Sequence, residues 1–164
     1  MKTVNQAIIL SAALTFSALF LPAQAAQSTV KITSEVHELI EVLDEQGKPQ
    51  QKIIAADEIT PGDHILFTTR FINQGDKASD NVMITNPIPK HTRYLEGSAK
   101  GEHFTITFSV DGNVWADAKT LKIRQKDGKY RAATAADYTH IRWKYNRALK
   151  PSEKKSISFE TTLL

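Results

Sequence analysis

The chain has 164 residues, enough for one domain with at most a short appendage. Its 21 Lys and Arg stand against 18 Asp and Glu, too small an excess for a dedicated nucleic-acid binder. The absence of cysteine excludes a disulfide scaffold, a thiolate zinc site, a cysteine nucleophile and a lipid-modified N-terminal cysteine.

The N-terminus reads as an export signal. Lys2 supplies a positive charge, and the 15 residues 7–21 (AIILSAALTFSALFL) carry none. Pro22 follows, then Ala23-Gln24-Ala25, with small residues at the two positions a signal peptidase reads. At 1.5 Å per residue the run is short for a hydrocarbon core of about 30 Å, which weighs against the alternative of an uncleaved anchor. Cleavage after Ala25 leaves 139 residues with 20 basic and 18 acidic side chains. No second long apolar run follows, so no transmembrane segment is expected after cleavage. The expected location is periplasmic or secreted.

Beyond the signal, apolar residues alternate with polar ones. Val30–Ser34 and Val36–Leu43 are weak strand candidates, and Glu35–Leu43 has a short helix as its alternative. Gln51–Ala55 is another weak candidate. Pro61-Gly62 fits a type II turn and opens a strong alternating run over 65–72. Asn73-Gln74-Gly75 is a turn, and Asn81–Thr85 a weak strand. Pro87 and Pro89 lack the N–H a ladder needs, so Asn86–Lys90 should cross between sheets or lie at an edge. Thr92–Leu95 precedes an exposed turn at Gly97–Gly101, and Phe104–Val110 alternates strongly up to the hairpin signal Asp111-Gly112. Leu121–Gln125, Ile141–Tyr145 and Ile157–Thr161 complete about eight strands. Turns every 8–12 residues imply an antiparallel sandwich or barrel. An outer-membrane barrel is the alternative architecture, but 38 charged residues leave little room for a lipid-facing band.

Charge is uneven along the chain. Residues 26–118 hold 8 basic and 14 acidic side chains, and residues 119–164 hold 12 basic and 4 acidic. The densest stretch is Lys119, Lys122, Arg124, Lys126, Lys129 and Arg131. It suits an anionic partner or head-to-tail contact with an acidic copy. The alternative is that charged strands guard sheet edges. Distant strands also interleave in a sandwich, so the asymmetry need not persist in space.

The order of motifs resembles a known family. Thr60-Pro61-Gly62-Asp63 leads into an alternating strand. Asn73-Gln74-Gly75, Ala78 and Asn81-Val82-Met83-Ile84 follow, then Asn86-Pro87-Ile88-Pro89, Thr92-Arg93-Tyr94 and Gly97-Ser98-Ala99. Ser109-Val110-Asp111-Gly112 with Trp115, Thr139–Trp143 and Leu149-Lys150-Pro151 continue the pattern. This is similar to the conserved-repeat domain of bacterial surface proteins, a domain of unknown function numbered eleven. The resemblance spans Ala56–Phe159. It implies an immunoglobulin-like β-sandwich of the cell envelope or exterior, and it does not imply an enzyme. The chain departs from many members in having a single copy and no C-terminal anchoring segment, which argues against a long stalk. The domain reading is therefore a signal over 1–25, an N-terminal strand region over 26–55, and an immunoglobulin-like domain over 56–164 that forms one fold unit with 26–55.

Catalytic and metal chemistry find little purchase. No two of His37, His64, His91, His103 and His140 have metal-ligand spacing, and no His-Glu-x-x-His occurs. Aspartates gather near turns, at Asp57, Asp63, Asp76, Asp80, Asp111 and Asp117, without an EF-hand spacing. Calcium is the functional alternative to a turn-forming role there. Ser98-Ala99-Lys100 places a hydroxyl two residues from an amine, but an exposed lysine stays charged and cannot take a proton. No metal or other cofactor is expected. Trp115, Tyr130 and Tyr138 lie in or near loops, where they either stack on sugar rings or cap the core. Trp143, in mid-strand, belongs to the core.

The sequence thus predicts an exported, non-enzymatic, all-β protein, an immunoglobulin-like antiparallel sandwich acting as an interaction or structural module of the cell envelope. Its partner is an envelope protein or a second copy. The alternative is a binding module for an anionic or glycan polymer. Lys122, Arg124, Lys126, Lys129, Trp115 and Tyr130 are the candidate binding residues.

Overall fold

The computed structural model describes residues 29–164. The signal expected over 1–25 lies outside the described residues. Those residues fold into eleven strands. They are β1 (Val30–Leu43), β2 (Pro49–Ala55), β3 (His64–Asn73), β4 (Met83–Pro87), β5 (Thr92–Tyr94) and β6 (Lys100–Gly101). Then follow β7 (Phe104–Ser109), β8 (Lys122–Arg124), β9 (Tyr130–Ala132), β10 (His140–Tyr145) and β11 (Lys154–Leu163).

The strands form three antiparallel sheets. The largest runs β2-β1-β3-β11-β5, with β6 also pairing to β11. A second runs β4-β10-β7, and β8 and β9 make a separate two-stranded ribbon. The first two pack face to face around one core. Phe71, Tyr94, Ile157 and Phe159 come from the large sheet, and Ile84, Phe108, Ile141, Trp143 and Tyr145 from the small one. The Trp143 ring meets Phe159 across the gap at 6.0 Å, and Phe67 stacks on Phe159 at 4.9 Å. Trp143 is fully buried and its indole N–H donates to the carbonyl of Lys100 at 3.2 Å, which satisfies the ring's polar atom.

Alternation decides which face each residue takes. Ile65, Phe71, Ile157 and Phe159 point inward while Arg70, Lys154 and Glu160 point outward, as period two requires. Two buried polar groups close the edges of this layer. Asn73 donates its side-chain amide to the carbonyls of Lys77 and Leu149 and accepts from the Gly75 N–H, so the turn after β3 is tied to the loop before β11. Ser98 accepts from the Glu160 N–H at 3.0 Å.

The strands expected over Val30–Ser34 and Val36–Leu43 are present and continuous through Glu35: β1 is one strand of 14 residues because residues 30–39 pair with β3 and residues 37–43 with β2. The helical alternative over Glu35–Leu43 is absent, because tertiary pairing outweighs the local helical spacing. Two local expectations change. The exposed turn expected over Gly97–Gly101 is half drawn into the sheet, with Ser98 buried and β6 on β11. Asp111-Gly112 reverses the chain, but the return contains only the bridge of Ala116 to Phe108. Pro87 ends β4, which is an edge strand, as proline's missing donor demands.

The layers are offset. Asn86 of β4 donates to Thr69 of β3 at 3.0 Å, β10 lies over β11 through Trp143 and Phe159, and Phe108 of β7 meets Tyr94 of β5 at 5.3 Å. The small sheet therefore covers β3, β11 and β5. It leaves β2 and much of β1 uncovered on the inner face, where Ile32 is 53% and Val36 45% exposed. Beyond Leu39, β1 pairs only with β2 among the described residues.

Candidate binding surface

The basic stretch forms its own structure. Leu121 and Ala133 are buried, and the Ala133 N–H donates to the Leu121 carbonyl at 2.9 Å. They anchor the base of the β8–β9 ribbon beside Tyr138, whose ring stacks on Phe108 at 4.6 Å. Above that base the chain leaves the core. The turn Gln125–Lys129 closes with Gly128 N–H to Gln125 O and Gln125 N–H to Lys129 O. Gly128 sits at φ +85°, a conformation that side chains with a Cβ resist.

Register then sorts the cations. Lys122 lies opposite Ala132, and Arg124 opposite Tyr130, so these four share one face. Lys126 and Lys129 stand at the tip, where the Lys129 ammonium is 3.8 Å from Asp127. Tyr130 is exposed. Five of the six candidate residues, Lys122, Arg124, Lys126, Lys129 and Tyr130, are thus brought together on one projecting ribbon.

Trp115 is not among them. Its indole N–H donates to Gly112 O at 3.1 Å, and the Arg142 guanidinium covers its ring at 3.6 Å from the centroid. His140 closes its edge at 6.2 Å. Trp115 therefore braces the loop after β7 against the outer side of β10. Its ring face is taken by Arg142. Tyr138 also caps the core, which leaves Tyr130 as the exposed aromatic of the three loop candidates.

Arg131 differs from its basic neighbours. Its two terminal nitrogens donate to both oxygens of Asp137, at 2.7 and 2.6 Å. This bidentate pair holds the Asp137 carboxyl well below the usual carboxylate range, assisted by the Thr134 N–H and hydroxyl. The guanidinium is correspondingly pushed up. Arg131 locks the base of the ribbon to the loop before β10 and is committed to that task. The spacing of six residues between the partners gave no periodic signal.

Three of the six turn aspartates, Asp63, Asp111 and Asp117, have local partners. Asp111 accepts from the Val114 and Asn113 N–H groups, and these bonds lower its pKa. Asp44, Asp63, Asp117 and Asp127 accept backbone N–H groups in the same manner. His91 and His103 occupy left-handed turn positions at φ 62° and 67°. Among the described residues, no group of three His, Asp or Glu gathers closely enough to hold a metal ion. No helix among them is long and apolar enough to cross a membrane. No family model matches the chain, and comparison with curated proteins and with solved structures returns no match.

Proposed function

We propose that the chain is an exported, non-enzymatic module of the cell envelope, with an interaction or structural role exercised through the β8–β9 ribbon. The observation that carries the reading is the ribbon itself. Four cations and an exposed tyrosine project from a buried base into solvent, where a macromolecular partner reaches them from several sides. Aromatic and arginine side chains on such a ribbon are the types that anchor interfaces. The export signal expected over 1–25 and the family resemblance support an envelope location.

The same proposal includes an immunoglobulin-like sandwich of altered strand order. Two antiparallel layers over one core favour it. In an immunoglobulin domain the last two strands share a sheet. Here β11 leaves the sheet of β10 and lies between β3 and β5.

Crosslinking the tagged protein in intact cells, followed by mass spectrometry, tests the reading. A discrete envelope partner or a ladder of self-links is the expected result. A clean monomer in the soluble fraction would overturn it. A second reading, binding of an anionic or glycan polymer, is favoured by Lys122, Arg124 and Tyr130 sharing a face. In that case K122A/R124A/K126A would release the protein from an immobilised anionic polysaccharide at markedly lower salt. Unchanged elution would remove this second reading.

A further inference from the structure

The ribbon has a counterpart on the same molecule. Residues 35–63, which cover most of β1, β2 and the turn before β3, hold eight acidic and two basic side chains. Residues 119–131, which hold the ribbon, carry six basic and one acidic. These segments lie on opposite flanks. β2 is the outer strand of the large sheet on one side. The ribbon follows β7, which lies over β5 on the other side, through Tyr94 and Phe108. The two charges therefore cannot neutralise one another within one molecule.

The acidic flank also has the surface of an unfinished interface. Ile32, Val36, Leu43 and Ile53 are all about half exposed or more, on both faces of the β1–β2 hairpin. The free edge of β2 has no partner among the described residues, and its seven pairs with β1 run without a bulge. A long regular edge with exposed apolar side chains is what monomeric proteins usually guard against. The ribbon likewise has strand edges without a partner among the described residues, and an exposed Tyr130.

We propose that the β8–β9 ribbon of one copy docks on the acidic β1–β2 hairpin of a second copy. This deepens the proposed function, on which it rests, by naming the partner as the chain itself. Charge complementarity selects the pairing: Lys122, Arg124, Lys126 and Lys129 meet Asp44 and Glu45 at the turn of the hairpin, with Glu38 and Glu41 flanking them on opposite faces of β1. The two surfaces differ and sit on opposite flanks, so the contact is heterologous. Repetition adds copies head to tail into an open chain or a ring.

Sedimentation of the purified protein over a concentration series tests this. Self-association is expected in low salt and should weaken by about tenfold or more near 0.5 M salt. K122E/R124E/K126E/K129E should be monomeric, and so should E38K/E41K/E45K. Circular dichroism of each variant checks the fold. Mixing the two variants should restore association, because each now offers what the other lacks. A wild-type protein that stays monomeric in low salt, or a mixture that stays monomeric with both variants folded, would overturn the contact. Crosslinking in cells to a different protein alone would keep the proposed function and overturn this inference.

Discussion

Trp143 shows how much one side chain carries. It is fully buried, lies over Phe159 and satisfies its N–H on Lys100. Trp143→Ala should cost about 3–5 kcal/mol, read as a shift in the denaturant midpoint. Gly101 is a second such position: an added Cβ would stand 2.8 Å from the Phe104 ring and 3.0 Å from Ile157. Gly101→Ala should cost about 1–3 kcal/mol through forced repacking, and thermal unfolding would reveal it. Asp137 ties charge to pH. Its pKa is lowered on folding, so the stability it contributes is present above the unfolded aspartate value, about 3.9, and fades as pH falls below it. Asp137→Asn should therefore melt earlier than wild type at pH 7, and the gap should close in acid. A gap that stays constant down to about pH 2 would exclude this role.

At the scale of elements, the two hairpins are held less firmly than the sandwich. Among the described residues the far end of β1 has β2 as its only strand partner, and the ribbon pairs with neither of the other two sheets. Amides of residues 40–43, β2, β8 and β9 should exchange hydrogen faster than those of β3, β10 and β11. Uniform protection across all strands would contradict the offset packing. The same contrast explains what the residues disclosed in advance. Period two revealed β3, β7, β10 and β11, because each has one buried face. It could not reveal that Glu35 is mid-strand, because β1 is exposed over much of both faces and its apolar spacing also fits a helix. Nor could it reveal β6, two residues long and one of them glycine. Alternation assigns faces and says nothing of partners, so the crossing of β11 into the large sheet was not legible. The ribbon was legible as charge, because nothing at its tip needs burial. The capture of Trp115 by Arg142 and of Arg131 by Asp137 was not, since both depend on loops folding back.

For the whole molecule, the consequence of the fold is a separation of charge. An acidic segment and a basic segment end on opposite flanks of one sandwich, each on a hairpin that reaches beyond the shared core. Within a monomer the two charges do not meet, and the proposed contact between copies would bring them together. The ribbon is the proposed contact surface. The most direct measurement places a photo-crosslinking amino acid at Tyr130, the exposed aromatic of the ribbon, in intact cells. The expected result is a discrete protein adduct that disappears when Lys122, Arg124, Lys126 and Lys129 are reversed in charge. Uncrosslinked protein alone, or an adduct indifferent to those four cations, would contradict it.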